Sequence, residues 1–146
     1  MGSREVFEYY ECGSCGCLQI SSIPEDLDRF YPKDYYSLQS PKIKKARLIR
    51  DYVRKTRALS QIFGTNLLGH ILSVGKPLSP INIVYRRIGL HLDHSILDVG
   101  GGAGNHVLSL RNLGFNKAMS LDPFIQSDVM HEGSLLAKKA EIFDLS

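Results

Sequence analysis

The chain has 146 residues, 43% of them hydrophobic, and a formal net charge of +3, which together describe a protein with one modest core. It contains no run of about 18 apolar residues and no apolar signal-peptide core, so we expect neither a membrane partner nor export. Three cysteines crowded into one short segment cannot form an extracellular disulfide framework. We therefore expect a cytoplasmic protein.

Residues 1–40 are predicted to form a leader that is rich in cysteine and aromatic residues. Residues 1–23 favour short strands joined by a tight turn, and residues 24–30 favour a short helix that begins at a proline. Tyr31, Tyr35 and Tyr36 follow. They either pack the leader against the rest of the chain or form part of a lid over a ligand, and the sequence leaves both interpretations open.

The cysteines of the leader are candidate zinc ligands. Cys12, Cys15 and Cys17 have the spacing C-x-x-C-x-C, which is a single zinc knuckle. Zinc takes four ligands in a tetrahedron, and a fourth ligand such as His91 or His94 is not supported by its spacing. Reduced, structural cysteines are therefore the preferred interpretation, and bound zinc is the alternative.

Residues 41–94 are predicted to be a helical cap and linker. Helical spacing covers residues 42–74 in two pieces, and a further short helix covers residues 81–88. Within the first piece a single acid, Asp51, accompanies many basic residues: Lys42, Lys44, Lys45, Arg47, Arg50, Arg54, Lys55 and Arg57. The apolar residues that recur among them at helical spacing are Ile43, Ala46, Ile49 and Val53.

This pattern predicts an amphipathic helix with a basic outer face. A solvated surface is the preferred interpretation of that face, because exposed lysine and arginine need no partner. An anionic partner is the alternative. Nucleic acid is not favoured, since no aromatic residues interleave with the basic ones to form a stacking platform.

The most informative stretch is residues 96–104, with the sequence I-L-D-V-G-G-G-A-G. An apolar run that ends in an acid and a glycine-rich turn is typical of a buried parallel strand that opens into a ligand-binding loop. A helix over Asn105–Leu113 should end at Gly114, and a second strand over Ala118–Leu121 should lead to Asp122. Asp98 and Asp122 would then lie at the carboxyl ends of strands, where open α/β sheets bind ligands.

Two other parts of this region carry weaker signals. His106, in the predicted helix, is interpreted as a surface or capping residue. Helical periodicity is poor after Asp122, and residues 127–132 are expected to supply one or two turns of helix.

The spacing of the glycines distinguishes between cofactors. A dinucleotide-binding turn has the pattern G-x-G-x-x-G, whereas Asn105 occupies the place of the third glycine here. Asp98 stands directly before the turn, and its carboxylate favours a cationic ligand over a diphosphate. An NAD-dependent Rossmann enzyme is therefore an alternative of lower rank.

Residues 98–104, D-V-G-G-G-A-G, resemble the first motif of class I S-adenosylmethionine-dependent methyltransferases. The resemblance implies that the cofactor is bound by Asp98, Gly100, Gly101, Gly102 and Gly104. It further implies that Asp122 holds the ribose hydroxyls. Pro123 and Phe124 would then pack on the adenine, and the alternative is that one of them packs into the core instead. An acid after the third strand would contact the adenine amino group, either Glu141 or, as runner-up, Asp144.

The leader, with its cysteine knuckle and Tyr35-Tyr36, resembles the N-terminal segment of a bacterial subfamily of these enzymes. The fold implied is α/β, a Rossmann-like methyltransferase core preceded by a helical and cysteine-bearing N-terminal cap. Residues 95–146 would supply the first three of its seven strands, so we expect an incomplete core whose unpaired sheet edge can self-associate.

The implied function is methyl transfer from S-adenosylmethionine to a small-molecule or glycan-type acceptor, with this chain supplying the cofactor-binding part. The sequence identifies no catalytic residue. A non-enzymatic docking module that uses the sheet edge or the basic helix is the alternative from a different class.

Overall fold

The structure is a computed structural model that describes residues 5–30, 36–39, 41, 48–64 and 67–145. The chain divides into two units, residues 1–33 and residues 34–146. The second unit contains both the predicted helical region and the predicted glycine-rich strand–helix–strand segment.

A β-hairpin is the main element of the first unit. Strands β1 (Tyr9–Glu11) and β2 (Leu18–Ile20) pair antiparallel, which confirms the predicted pair of short strands. In the turn between them the amide of Cys12 donates to the carbonyl of Cys17 at 2.9 Å. The amide of Gly16 donates to the carbonyl of Cys12 at 2.8 Å, and this bond closes the turn.

A short helix follows the hairpin. It is a 3-10 helix over Leu27–Phe30, so the helix expected over residues 24–30 occupies only the last part of that range. The ring of Phe30 packs edge-on against Phe7, with their centroids 5.5 Å apart.

The second unit begins with helices in the order predicted. They are α1 (Leu48–Phe63), α2 (Leu67–Ile71) and α3 (Pro80–Arg87). Residues 42–47, where the first helical piece was expected to begin, lie outside the described residues. Among the helices of the described residues, none has the length and apolar character needed to cross a membrane.

The buried face of α1 continues the predicted one through Thr56 and Ser60, but burial is confined to the second half of the helix. Ile49 and Tyr52 are exposed, whereas Thr56, Ser60 and Ile62 are buried. The buried residues lie in the second half of the helix, which packs against α2 and α3. Helical periodicity identifies one side of a helix but does not show how far along it the neighbours extend, and this is why the expectation for Ile49 was wrong. The basic residues of the described helix include exposed ones, as predicted: Arg50, Arg54 and Lys55.

Four strands form a mixed sheet in the order β3-β4-β6-β5. Their bounds are β3 (Ile96–Val99), β4 (Ala118–Leu121), β5 (Val129–His131) and β6 (Ser134–Lys138). Strands β3, β4 and β6 run parallel, and helix α4 (Asn105–Leu113) connects β3 to β4. The predicted strand, helix and strand are therefore confirmed, and the fold is mixed α/β.

The segment after Asp122 differs from the expectation. Residues 127–132 contain strand β5, which pairs antiparallel with β6, rather than a turn or two of helix. Glu132 and Gly133 connect the two strands, and both have positive φ, +50° and +76°. Two central residues of positive φ are the requirement of a type I′ hairpin turn, so this dipeptide directs the chain into a hairpin.

The larger hydrophobic core lies where the helices meet the sheet. Phe115, which follows the C-cap Gly114 of α4, is fully buried at its centre. Its ring centroid lies 6.4 Å from that of Phe63 on α1 and 6.5 Å from that of Tyr85 on α3. The other buried members are Ile62, Leu90, Val107, Leu110, Ala118 and Leu136.

Arg111 joins α4 to two strands. Its Nε donates to the carbonyl of Ala118 at 2.9 Å, and its guanidinium also donates to the hydroxyl of Ser134 at 2.8 Å and to the carbonyl of Leu135. Because hydrogen bonds from a charged donor are stronger than neutral ones, this side chain stabilises the α4–β4–β6 arrangement.

We expect Arg111→Met to lower the free energy of unfolding by about 2 kcal/mol, since it removes charged hydrogen bonds but keeps an apolar stem of similar length. Urea denaturation monitored by circular dichroism measures the change. Lys117→Met, at an exposed basic residue, is the control and should leave the free energy nearly unchanged. Equal effects of the two substitutions would contradict this role of Arg111.

Candidate functional site

Residues 100–104, here called the glycine loop, connect β3 to α4. Asp98 pairs with Ser120 and Val99 with Leu121 in the parallel ladder, so β3 and β4 end at the same edge of the sheet. The glycine loop and Asp122 therefore leave the sheet side by side, as predicted. Gly100, Gly102 and Gly104 have φ of +74°, +58° and +85°, a backbone conformation that favours glycine.

Asp122 is buried, with only 5% of its surface exposed. One carboxylate oxygen accepts a hydrogen bond from the amide of Gly102 at 2.9 Å, and the other accepts from the amide of Phe124 at 2.8 Å. The amide of Asp122 donates to the carbonyl of Lys138 at 3.1 Å. The side chain that was expected to hold ribose hydroxyls thus binds the amides of Gly102 and Phe124. An ionised carboxylate has about four acceptor positions, and these two bonds use two of them.

The carboxylate of Asp98 and the hydroxyl of Ser120 lie against Gly101. A Cβ at Gly101 would lie 2.5 Å from Oδ2 of Asp98 and 2.5 Å from Oγ of Ser120. Ser120 is fully buried, and its hydroxyl donates to the carbonyl of Gly102 at 3.1 Å. Sequence analysis missed Ser120, and the available signal was a hydroxyl residue inside an otherwise apolar strand.

Residues 36–39, here called the covering segment, lie across the glycine loop. The amide of Ala103 donates to the carbonyl of Ser37 at 2.8 Å, and a Cβ at Gly102 would overlap that same carbonyl oxygen. Leu38 packs into a small apolar cluster formed by Ala103, Ile125 and Ala137. Of the tyrosines considered for a lid, Tyr31 and Tyr35 lie outside the described residues, and Tyr36 begins a 3-10 helix over Tyr36–Leu38.

The glycines of the loop therefore serve different purposes. The absent side chains of Gly101 and Gly102 make room for atoms of the chain itself, whereas a Cβ at Gly100 would meet nothing within 4 Å. A ligand can approach the backbone closely at Gly100, and the half-buried carboxylate of Asp98 lies against the next residue, Gly101. The negative charge of Asp98 in this loop favours an uncharged or cationic group over an anion.

Tyr85 and His106 form a contact beside the loop that sequence analysis did not predict. The hydroxyl of Tyr85, on α3, lies 2.7 Å from Nε2 of His106, in the first turn of α4. Burial raises the pKa of Tyr85, and the negative charge of Asp98 raises it further, so this hydroxyl keeps its proton at neutral pH. His106 is exposed, as predicted, but its hydrogen bond to Tyr85 was not predicted.

The side chains expected near the adenine are more exposed than that of Asp122. Pro123 is exposed and Phe124 is half-buried. Glu141 is exposed, and its amide donates to the carboxylate of Asp144 at 2.8 Å, at the start of a 3-10 helix. Glu141 and Asp144 thus form a local turn, and an adenine contact by either one stays a prediction.

The three cysteines are free thiols on the hairpin of the first unit. Hydrogen bonds, chiefly from Ser14 and also from Cys15, lower the pKa of Cys12 to about 6, which favours its thiolate form. A thiolate is the form of cysteine that binds metal. Within the part of the chain that the structure describes, however, no three His, Cys, Asp or Glu side chains converge into a group that could hold a metal ion.

Comparison with known proteins adds no relative to this picture. No protein-family model, curated protein or solved structure matches the chain.

We expect Gly102→Ala to destabilise the protein by about 2 kcal/mol more than Gly133→Ala. Both positions have positive φ, so both substitutions strain the backbone, but only the new Cβ at position 102 collides with Ser37, and overpacking of this kind costs about 1–3 kcal/mol. Urea denaturation gives the two free energies, and limited proteolysis reports release of the covering segment. Equal destabilisation with equal protease resistance would contradict the contact with Ser37.

Proposed function

We propose that this chain binds S-adenosylmethionine at the glycine loop and is the cofactor-binding part of a methyltransferase for a small-molecule or glycan-type acceptor. One observation carries the proposal. The glycine loop joins a strand to a helix, Asp98 lies in the last two residues of β3, Asp122 directly follows the parallel strand β4, and open space remains beside Gly100. Carboxyl edges of parallel strands are where α/β sheets bind ligands.

The charge at this edge supports a cationic cofactor. The carboxylate of Asp98 is half-buried, and its negative charge adds to burial in raising the pKa of the Tyr85 hydroxyl. A negative charge in a partly buried position repels a diphosphate and attracts a sulfonium or an ammonium group. S-adenosylmethionine carries both cations and has no phosphate.

The residues have distinct roles in this proposal. The backbone at Gly100 and the carboxylate of Asp98 receive the amino-acid part of the cofactor, and Asp122 offers its remaining acceptor positions to the ribose. Pro123 lies beside the adenine, and Glu141 accepts from its amino group. When bound, the cofactor supplies an electrophilic methyl group, and the protein contributes positioning of the reactants and exclusion of water.

A docking module is the second candidate, and a specific observation favours it. Strand β3 lies at the end of the sheet order, and its side chains Leu97 and Val99 are 41% and 56% exposed. An edge strand with exposed apolar side chains is a template for pairing with another chain. A second copy of this chain is the partner that such an edge would bind.

Isothermal titration of S-adenosylhomocysteine and of NADH tests the proposal. We expect S-adenosylhomocysteine to bind and NADH not to bind. Asp98→Asn should weaken S-adenosylhomocysteine by about tenfold, because it removes the charge that pairs with the ammonium group. Asp93→Asn, at an exposed acid, is the matched control and should leave binding unchanged.

Other outcomes separate the alternatives. Tighter binding of NADH than of S-adenosylhomocysteine would contradict the proposal in favour of a dinucleotide enzyme. Absence of binding by either compound, together with a molar mass that rises with protein concentration in light scattering, would favour the docking module instead.

A further inference from the structure

The hairpin of the first unit places two cysteines opposite each other. Strands β1 and β2 pair Glu11 with Leu18, and the same register continued by one residue pairs Cys12 with Cys17. The amide of Cys12 donates to the carbonyl of Cys17 at 2.9 Å, so the two backbones are still paired at this position. Residues that face each other in an antiparallel pair carry their side chains on the same face, so these two thiols share one face of the hairpin.

The spacing of such a pair suits a disulfide. Facing residues joined by backbone hydrogen bonds have Cα atoms about 5.5 Å apart in an antiparallel ladder. A disulfide joins Cα atoms that are about 4.4–6.8 Å apart, most often near the middle of that range. On the same face, two residues before Cys12, the hydroxyl of Tyr10 donates to the side chain of its facing residue Gln19. Facing side chains on this face therefore reach each other across the hairpin.

The third cysteine is placed differently. Cys15 lies in the turn between the strands, beyond the last pair of the register, and it is exposed. The amide of Gly16 closes that turn by donating to the carbonyl of Cys12 at 2.8 Å. A Cys-x-x-Cys pair is a common redox motif, and here it would join Cys12 to Cys15. The strand register instead places Cys17 opposite Cys12.

Both facing thiols are accessible, and one of them has an activating neighbour. Cys12 is half-buried, Cys17 is exposed, and both are free thiols. The hydroxyl of Ser14 lies 3.1 Å from Sγ of Cys12. A hydroxyl that donates to a thiolate stabilises it, and the thiolate is the nucleophile of thiol–disulfide exchange. Cys12 is therefore the thiol that attacks first.

We propose that Cys12 and Cys17 are a thiol-modification site, where exchange with a small-molecule disulfide such as oxidised glutathione forms a reversible disulfide across the hairpin. The thiolate of Cys12 attacks one sulfur of oxidised glutathione, which gives a mixed disulfide and releases one glutathione thiolate. Cys17 then loses its proton to water and attacks the Cys12 sulfur, and the second glutathione thiolate leaves. Two cysteines are thus oxidised while one glutathione disulfide is reduced to two thiols.

This site is separate from the glycine loop and does not depend on the cofactor proposed there. Because the disulfide would form on an accessible hairpin, an excess of reduced thiol reverses both exchange steps. The hairpin would therefore follow the balance between thiols and disulfides around the protein.

Oxidation of the full chain by glutathione disulfide tests the proposal. Intact mass spectrometry counts the hydrogen atoms lost and the glutathione added, and alkylation followed by peptide sequencing identifies the thiol that stays free. The chain has three cysteines, so one thiol remains after one disulfide has formed. We expect that thiol to be Cys15, and we expect dithiothreitol to restore all three thiols. Cys17 as the free thiol would overturn the assignment.

Two serine variants form a matched pair. Cys15→Ser should form the internal disulfide as the unmodified protein does. Cys17→Ser should stop at the mixed disulfide on Cys12 and form any internal disulfide at least about tenfold more slowly, because the facing partner is missing. Equal rates of internal disulfide formation in the two variants would contradict the proposal.

Unfolding distinguishes the geometry of the hairpin from mere closeness along the chain. In concentrated urea we expect the preference of Cys12 for Cys17 over Cys15 to fall by about tenfold, since neither partner is then held in place. An unchanged preference in urea would show that nearness in the sequence selects the pair, and the proposal would be wrong. Zinc that stays bound to the isolated protein and protects all three thiols from alkylation would overturn it as well.

Discussion

The buried carboxylate of Asp122 is the interaction on which the site depends. Burying a charge is costly unless hydrogen bonds compensate, and here the amides of Gly102 and Phe124 provide them. These bonds join the glycine loop to the segment after β4, while the amide of Asp122 joins the same point to β6 through Lys138. Asp122 thus fixes the glycine loop at Gly102, next to the contacts that Ser120 and Ser37 make with the loop.

Most of the space around the glycine loop is occupied by atoms of the protein itself. The hydroxyl of Ser120 donates to the carbonyl of Gly102, and the carbonyl of Ser37 occupies the space beside Gly102. A glycine-rich sequence is therefore not by itself evidence for a ligand at every glycine. Within the glycine loop, only Gly100 combines positive φ with open space, and the carboxylate of Asp98 lies against its neighbour Gly101. Among the loop glycines, the proposed close approach of the cofactor to the backbone is therefore limited to Gly100.

Local signals were enough to predict the elements around the loop. Strand β3, helix α4 and strand β4 follow from apolar runs and from a glycine at the end of the helix, all of which act over a few residues. Strand β5 was missed because its cue was the Glu132-Gly133 turn, whereas the poor helical periodicity there was interpreted as a short helix. The covering segment could not be predicted, since Ser37 and Ala103 meet only in the folded chain.

Contacts between distant elements also decided the rest of the site. Tyr85 and His106 lie 21 positions apart, and their hydrogen bond depends on how α3 packs against α4 through Phe115. No pattern in either helix encodes that distance. The role of Asp122 was predicted only in part, because it too depends on contacts between distant residues. Its place after β4 follows from the sequence, but its burial against the loop amides is a product of packing.

The most direct test of the account is a titration of S-adenosylhomocysteine into isotope-labelled protein, followed by amide NMR. Saturable shifts centred on the amides of residues 98–104, with smaller ones near Asp122, are the predicted result. A dispersed spectrum in which those amides do not move at saturating ligand would contradict the claim that the glycine loop is the cofactor site.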